Sequence, residues 1–188
     1  MDVLGIPTLE TPRLRLRPWR DSDLEPYCEF TSDPEVMRYL GAGEVMDREG
    51  TWRNIALILG HWAMRGYGFW AVEEKAAGAF VGRVGLWQPE GWPGLEVGWS
   101  LLRRHWGRGY AAEAGRASLD HAFTKLGATR VISLIAAENS RSIRVAERLG
   151  ERYERKIVKF NRDSLIYSID KAEFYARSSV TAELENRQ

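Results

Sequence analysis

The segment from Leu101 to Glu113, Leu-Leu-Arg-Arg-His-Trp-Gly-Arg-Gly-Tyr-Ala-Ala-Glu, constrains the fold of this chain more tightly than any other. Before it, Leu95, Val97, Trp99 and Leu101 alternate with Glu96, Gly98 and Ser100, which predicts a strand over Leu95–Leu102. After it, Ala112, Gly115, Leu119, Ala122 and Leu126 recur at helical spacing until Gly127 stops the run. Val131–Ala136 follows as an almost unbroken apolar stretch, the pattern of a strand buried on both faces. Strand, helix and buried strand in that order fold as a right-handed βαβ crossover with parallel neighbours. Gly107 and Gly109 sit where strand gives way to helix, so the backbone can approach a ligand and take conformations closed to other residues. Unpaired N–H groups of the loop and of the first helical turn then converge on one point, which the helix dipole makes attractive to an anion. Arg104 and Arg108 add charge-assisted donors, and Ala111, Ala112 and Ala114 keep the helix slim. A polyphosphate fits such a cradle.

The remaining periodicities supply the elements around this unit. Leu14, Leu16 and Pro18 alternate with Arg13, Arg15 and Arg17, as in a half-exposed edge strand, and Asp21 is placed to cap a short helix. Trp52, Ile55, Leu59 and Trp62 predict an amphipathic helix from Asp47 to Arg65, ended by Gly66. Strands are expected at Phe69–Val72 and Phe80–Trp87, then a helix from Ser140 to Leu149 closed by Gly150, then strands at Tyr153–Phe160 and Ser164–Ile169. The sum is an α+β fold, a mixed and largely antiparallel central sheet with helices on both faces. No repeat or linker divides the 188 residues, so a single domain is expected over 1–188, with its core at about 10–170 and a polar tail at 171–188.

Charge and cysteine content exclude several classes. Basic and acidic residues number 27 and 26, which leaves no global field to draw the chain to nucleic acid or an anionic membrane. No segment approaches the ~20 apolar residues of a membrane span, and Met1 to Glu10 lacks a signal-peptide pattern, so a cytoplasmic protein is expected. Cys28 stands alone, and His61, His105 and His121 have no ligand spacing, so no metal is assigned. Gly107 to Ala112 also fits the dinucleotide pattern Gly-x-Gly-x-x-Gly/Ala. That pattern wants its first glycine directly after the strand, whereas Arg103 to Trp106 intervene here.

Arg104-His105-Trp106-Gly107-Arg108-Gly109 resembles the phosphate loop of the GNAT superfamily of acyl-CoA-dependent N-acyltransferases, Gln/Arg-x-x-Gly-x-Gly/Ala. The likeness extends to Thr11 to Trp19, Asp33-Pro34-Glu35-Val36-Met37, Glu96-Val97-Gly98-Trp99 and the stretch from Asn139 and Ser142 to Leu149-Gly150. These segments are similar to the branch typified by ribosomal-protein N-terminal acetyltransferases and span roughly residues 10 to 170. One departure is Glu151, where that branch usually has an aromatic residue after Leu-Gly. The resemblance implies an acetyltransferase that uses acetyl-CoA and an amine acceptor, either a peptide N-terminus or a small amine, as a monomer or homodimer. It implies donor contacts at Leu101, Leu102, Arg103, Arg104, Gly107, Arg108, Gly109, Tyr110, Ala111, Asn139 and Ser142.

Amide formation from a thioester needs a deprotonated amine, donors for the developing oxyanion and a proton for the departing thiolate. Glu96 is the expected base, because it shares a strand face with only Gly98 and Ser100 and so faces a roomy surface. The resemblance implies a backbone N–H at Leu101 or Leu102 for the oxyanion, Asn139 against the pantetheine arm and Ser142 near the sulfur. Asn139, Ser140 and Ser142 are also natural helix caps. No tyrosine stands at the spacing where many members of the superfamily carry an acid, which leaves Ser142 or water to protonate the thiolate. Residues 40–66 and 88–94 are expected to wall the acceptor site; Trp87 and Trp92 flank a Pro/Gly loop, Trp92 facing the acceptor site or a subunit contact and Trp87 being expected in the core. A non-catalytic acyl-CoA-binding module and a longer acyl donor such as succinyl-CoA are the alternative readings.

Overall fold

Each period-two stretch becomes a strand of one sheet in the computed structural model, which describes residues 5–176. The strands are β1 (Leu9–Glu10), β2 (Leu14–Arg17), β3 (Phe69–Glu74), β4 (Ala79–Trp87), β5 (Glu96–Leu101), β6 (Arg130–Ala136), β7 (Arg152–Lys159) and β8 (Arg162–Asp170). The helices are α1 (Leu24–Ser32), α2 (Pro34–Met37), α3 (Arg48–Arg65), α4 (Tyr110–Thr124) and α5 (Ser140–Leu149), and residues 171–176 are also helical. The part of the polar tail beyond 176 lies outside the described residues. Sheet order is β1-β2-β3-β4-β5-β6-β8-β7, and only the β5–β6 pair is parallel. The fold is therefore the expected mixed, mostly antiparallel α+β arrangement. No helix among the described residues is long and apolar enough to cross a membrane.

Local chemistry sets the boundaries. Asp47 caps α3 by accepting the Gly50 N–H at 2.7 Å, and Gly66 ends it in the left-handed region at φ +75°. Asn139 accepts the Ser142 N–H at 3.2 Å to open α5, which Gly150 closes at φ +95°. β1 and α2, with two and four residues, are too short to show periodicity and were not expected. One hydrophobic core joins Leu14 and Leu16 of β2, Trp70 of β3, Leu86 of β4, Tyr27 and Phe30 of α1 and Phe123 of α4.

Two expectations are corrected. β2 is not an edge strand, because β1 pairs with it through Leu9 and Leu16. Arg17 is accordingly only 4% exposed, bonded to Asp23 at 2.7 Å and to Glu73 at 2.7 Å, and so ties β2 to β3 and to the turn before α1. On α3, Thr51, Ile58, His61 and Trp62 face inward while Trp52 is 57% exposed. The buried stripe is rotated from the one its apolar residues suggest, because the polar Thr51 and His61 find partners inside. Thr51 Oγ1 meets Thr31 Oγ1 at 2.5 Å, and His61 Nδ1 lies 2.7 Å from Tyr67 O.

The parallel pair β5–β6 opens almost as soon as it forms. Its only register pair is Glu96 with Ile132, where the Ile132 N–H donates to Leu95 O at 2.8 Å. One residue on, a side chain stands in for the ladder, with Ser133 Oγ 2.9 Å from Val97 O. The strands part beyond that point.

Candidate active site

The phosphate loop comes from three local features. β5 ends as the Leu102 N–H donates to Val81 O at 2.9 Å, a 3-10 turn follows at Arg103–His105, and Gly107 and Gly109 take φ of +76° and +81°. Trp106 Nε1 donates back to Leu101 O at 2.8 Å, and Arg13 Nη1 holds the Arg108 carbonyl at 3.0 Å. Arg13 is in turn held by Glu113 in the first turn of α4 at 2.6 Å. No side chain caps α4, and a Cβ built on Gly107 would point into open space. Its N–H groups and the positive end of its dipole therefore face the cleft beside the loop.

That cleft has a volume of about 690 Å³. Of the residues singled out in the sequence, Leu101, Gly107, Gly109, Tyr110, Ala111, Asn139 and Ser142 line it. Leu102, Arg103, Arg104 and Arg108 do not. Arg103 pairs with Asp33 at 3.1 Å, Arg104 with Glu29, and Arg108 with Glu74 at 3.6 Å. The cations on the cleft wall are instead Arg38, Arg141, Arg144 and Arg148. The last three occupy one face of α5, a signal visible in the Arg-x-x-Arg-x-x-x-Arg spacing that sequence reasoning passed over. Arg141 is stacked 4.5 Å over the Trp106 ring. His105 also lines the cleft, buried, with neither ring nitrogen bonded. Burial and then the Arg104 charge hold its pKa below the ordinary value, so the ring is neutral and offers one donor and one acceptor.

A second cavity of about 380 Å³ lies across the opening between β5 and β6. It shares Tyr39, Leu40, Trp99, Ser100, Asn139 and Ser142 with the first, so the two meet at the splayed strands. Glu96 lines this second cavity and is only 9% exposed, which excludes a solvent-facing strand carboxylate. Trp92 Nε1 donates to Glu96 Oε2 at 2.5 Å. Burial dominates, pushing the Glu96 pKa up to about 7, against the pull of the Trp92 bond and of the Leu134 backbone N–H. Its carboxyl therefore exchanges a proton near neutral pH.

Ser142 occupies the junction, and Leu101 lines the larger cleft beside it. Trp99 Nε1 donates to Ser142 Oγ at 3.3 Å; an indole has no acceptor, so the hydroxyl keeps its own hydrogen free to donate. The Leu102–Val81 bond fixes the alternation along β5: even-numbered residues bond to β4, and the N–H groups of Trp99 and Leu101 turn toward the gap. Of the two amides expected to meet an oxyanion, Leu102 is engaged and Leu101 faces the opening.

The acceptor-side walls match the expected segments in part. Asn54 and Leu57 of α3 and Pro89 and Trp92 of the following loop contribute. Phe69, Arg83 and the β7–β8 hairpin with Phe160 and Arg162 were not foreseen. His61 stacks on Trp87 at 4.2 Å, and Lys159 sits 4.9 Å over Trp92. Glu151, the departure from the resemblance, is 3% exposed with its Oε1 3.0 Å from Ser133 Oγ. That hydroxyl also faces Val97 O, an acceptor, and has a single hydrogen. The Ser133 hydroxyl shares its hydrogen between the two acceptors, or gives it to Val97 O while a protonated Glu151 donates in return. Burial pushes its pKa up to about 8 against the pull of the Ser133 hydrogen bond, with the Glu96 charge adding to the rise.

Comparison with known proteins bears on the family and the fold. The family model "Acetyltransferase (GNAT) domain" matches residues 13–152. An uncharacterized protein of Bacillus subtilis (strain 168), YkkB, is 36% identical over 167 residues, covering 85% of this chain and 93% of its own. The crystal structure of an acetyltransferase from Agrobacterium tumefaciens str. C58 superposes with a TM-score of 0.79 at 33% identity, over 89% of this chain and 96% of the other. Mycobacterium smegmatis RimJ, solved with CoA-disulfide, shares the fold at a TM-score of 0.72 and 23% identity, over 90% of each chain.

Proposed function

The chain belongs to the GNAT acetyltransferase family, and from that premise we propose that it moves an acetyl group from acetyl-CoA to a primary amine by direct attack, with donor and acceptor bound together. The observation that carries this reading is the meeting of two cavities at the opened β5–β6 pair, with Glu96 on one side and an uncapped helix and glycine loop on the other. The residues of the larger cleft fit a coenzyme A diphosphate: main-chain donors at the head of α4 and the α5 arginines. A bound acyl thioester would supply an activated carbonyl and a leaving thiol of ordinary pKa about 8.5.

In this reading Glu96, directly or through one water, takes the proton of an ammonium whose pKa is about 8 to 10.4. The Leu101 N–H meets the negative charge that grows on the carbonyl oxygen and needs no reorganisation to do so. The Ser142 hydroxyl, whose hydrogen is not spent on Trp99, would be available to protonate the departing thiolate. Asn139 holds α5, and hence Ser142, in place through its cap.

The test is thiol release by the purified chain with acetyl-CoA on addition of an amine panel containing peptides and small amines. Release stoichiometric with amide formation is expected. Tight CoA binding without release to any amine would replace this reading with a binding module.

A further inference from the structure

Three charged side chains line the acceptor cavity, and two are cations: Arg83, Arg162 and Glu96. Arg83 projects from β4, where its neighbour in register is Ser100, and lies with its guanidinium carbon 4.5 Å over the Phe69 ring. No carboxylate among the described residues pairs with it, and its Nε is buried with no hydrogen-bond partner. Arg162 spends its terminal nitrogens on the Arg38 and Gly41 carbonyls, both at 3.0 Å, bonds that leave its charge uncompensated. Both arginines are half-buried, and a guanidinium partly withdrawn from water with no carboxylate bonded to it is a ready partner for a ligand anion.

The nearest candidate counterion is Glu96, but its carboxyl is occupied by Trp92 and, as a base, must change charge during the reaction. Its oxygen, the Phe69 ring edge and Gly98 converge on one spot: a Cβ on Gly98 would stand 2.9 Å from the ring and 3.4 Å from Glu96 Oε1. The Phe69 ring thus has Arg83 over its face and the Glu96 carboxylate near its edge. Base and cation stand on one sheet surface with an aromatic floor between them, and Trp87 and Trp92 add apolar walls.

Resting on the acetyl-transfer reading above, we propose that the acceptor is a small amphoteric amine that presents its amine to Glu96 and a carboxylate to Arg83, its apolar part lying on Phe69 and the tryptophans. A guanidinium matches a carboxylate in shape as well as charge. A polyamine, which would bring several cations to a cavity already holding two, is disfavoured by the same charges.

Matched acceptors test this: phenylalanine against phenylalaninamide, and tryptophan against tryptophanamide, with spermidine as the polycation, each followed by thiol release. The amide's amine is the less basic of each pair and hence the more reactive at neutral pH, so a preference for the acid must come from the protein. The expected result is a kcat/KM at least tenfold higher for each acid, carried mainly by KM. Arg83→Gln should erase that ratio while leaving CoA affinity unchanged, and Arg83→Lys should restore part of it. Equal rates for acid and amide, a preference for spermidine, or an undiminished ratio in Arg83→Gln would overturn the proposal. If no amine releases thiol, the transfer reading fails alone. Calorimetry with N-acetylphenylalanine and its amide on the CoA-loaded protein then decides the anion site, and equal binding of the two rejects it.

Discussion

At the scale of single residues, Glu96 shows how position on a strand becomes chemistry. Alternation along β5 puts it opposite the large apolar side chains, and packing of Trp92 and Phe69 then removes it from water. Burial favours its neutral form and lifts its pKa to about 7, so its base form accumulates as pH rises through neutrality. Rate should therefore climb through pH 7 with an apparent pKa near that value, and Glu96→Gln should lower kcat about 100-fold and remove that limb, leaving only the slower rise from the amine's own titration. CoA affinity, read by calorimetry, should not change. A rate profile in Glu96→Gln that overlays the parent from pH 6 to 9 would remove the residue from the mechanism. Ser142 has a smaller task, since a thiolate departs with little help. Ser142→Ala should cost roughly tenfold in kcat or less, and the deficit should shrink for a donor whose thiol is more acidic; a deficit that ignores the leaving group would argue against a proton from Ser142.

At the scale of elements, the glycine loop and α4 work as a unit: the space beside Gly107 is left open, while at Gly109 the Arg13 guanidinium comes within 3.4 Å of a Cβ position. A Cβ on Gly107 meets no protein atom within 4 Å, so a larger side chain there collides with a ligand and not with the fold. Gly107→Val should weaken CoA binding at least 100-fold, with a stability loss limited to the ~1–2 kcal/mol that a left-handed φ imposes on a branched residue. Calorimetry and thermal melts run side by side check it, and parental affinity in the variant would empty the cradle of its role. This unit was legible because strand, loop, helix and strand are contiguous and each carries its own periodicity. The acceptor cavity was legible only in part: Glu96, Trp92 and the 40–66 and 88–94 walls were expected, whereas Phe69, Arg83, Phe160 and Arg162 come from three strands and a turn and meet only through sheet order. Within its own strand Arg83 reads as an ordinary outward arginine. For the phosphate-side arginines the hidden part is the partner: Arg104 and Arg108 stand in the motif, and the carboxylates of Glu29 and Glu74 that the fold brings beside them have no trace in local sequence.

At the scale of the molecule, two buried carboxyls on either side of Ser133 couple the site to global stability. Glu151 enters the folded state as a neutral acid, whereas in the unfolded chain it ionises near its ordinary 4.5. Between those values the folded protein binds the extra proton, so stability falls as pH rises from about 5 to about 8. Glu96 adds a slope of the same sign that ends near pH 7. Glu151→Gln keeps the shape and offers a permanent donor to Ser133, but has no proton to lose. The variant should match the parent below pH 5 and exceed it increasingly above, by on the order of 4 kcal/mol at pH 8 from a shift of this size at 1.36 kcal/mol per pKa unit. For a chain of this length that corresponds to roughly 10 °C in melting temperature. Freed from a neighbour that also ionises, Glu96 should keep a single titration in the rate profile of the variant, whereas the parent should deviate above pH 8 as the second carboxyl charges. Parallel melting curves from pH 5 to 8 for the two proteins would mean that Glu151 is already ionised in the folded state, with the Ser133 hydroxyl donating to its carboxylate.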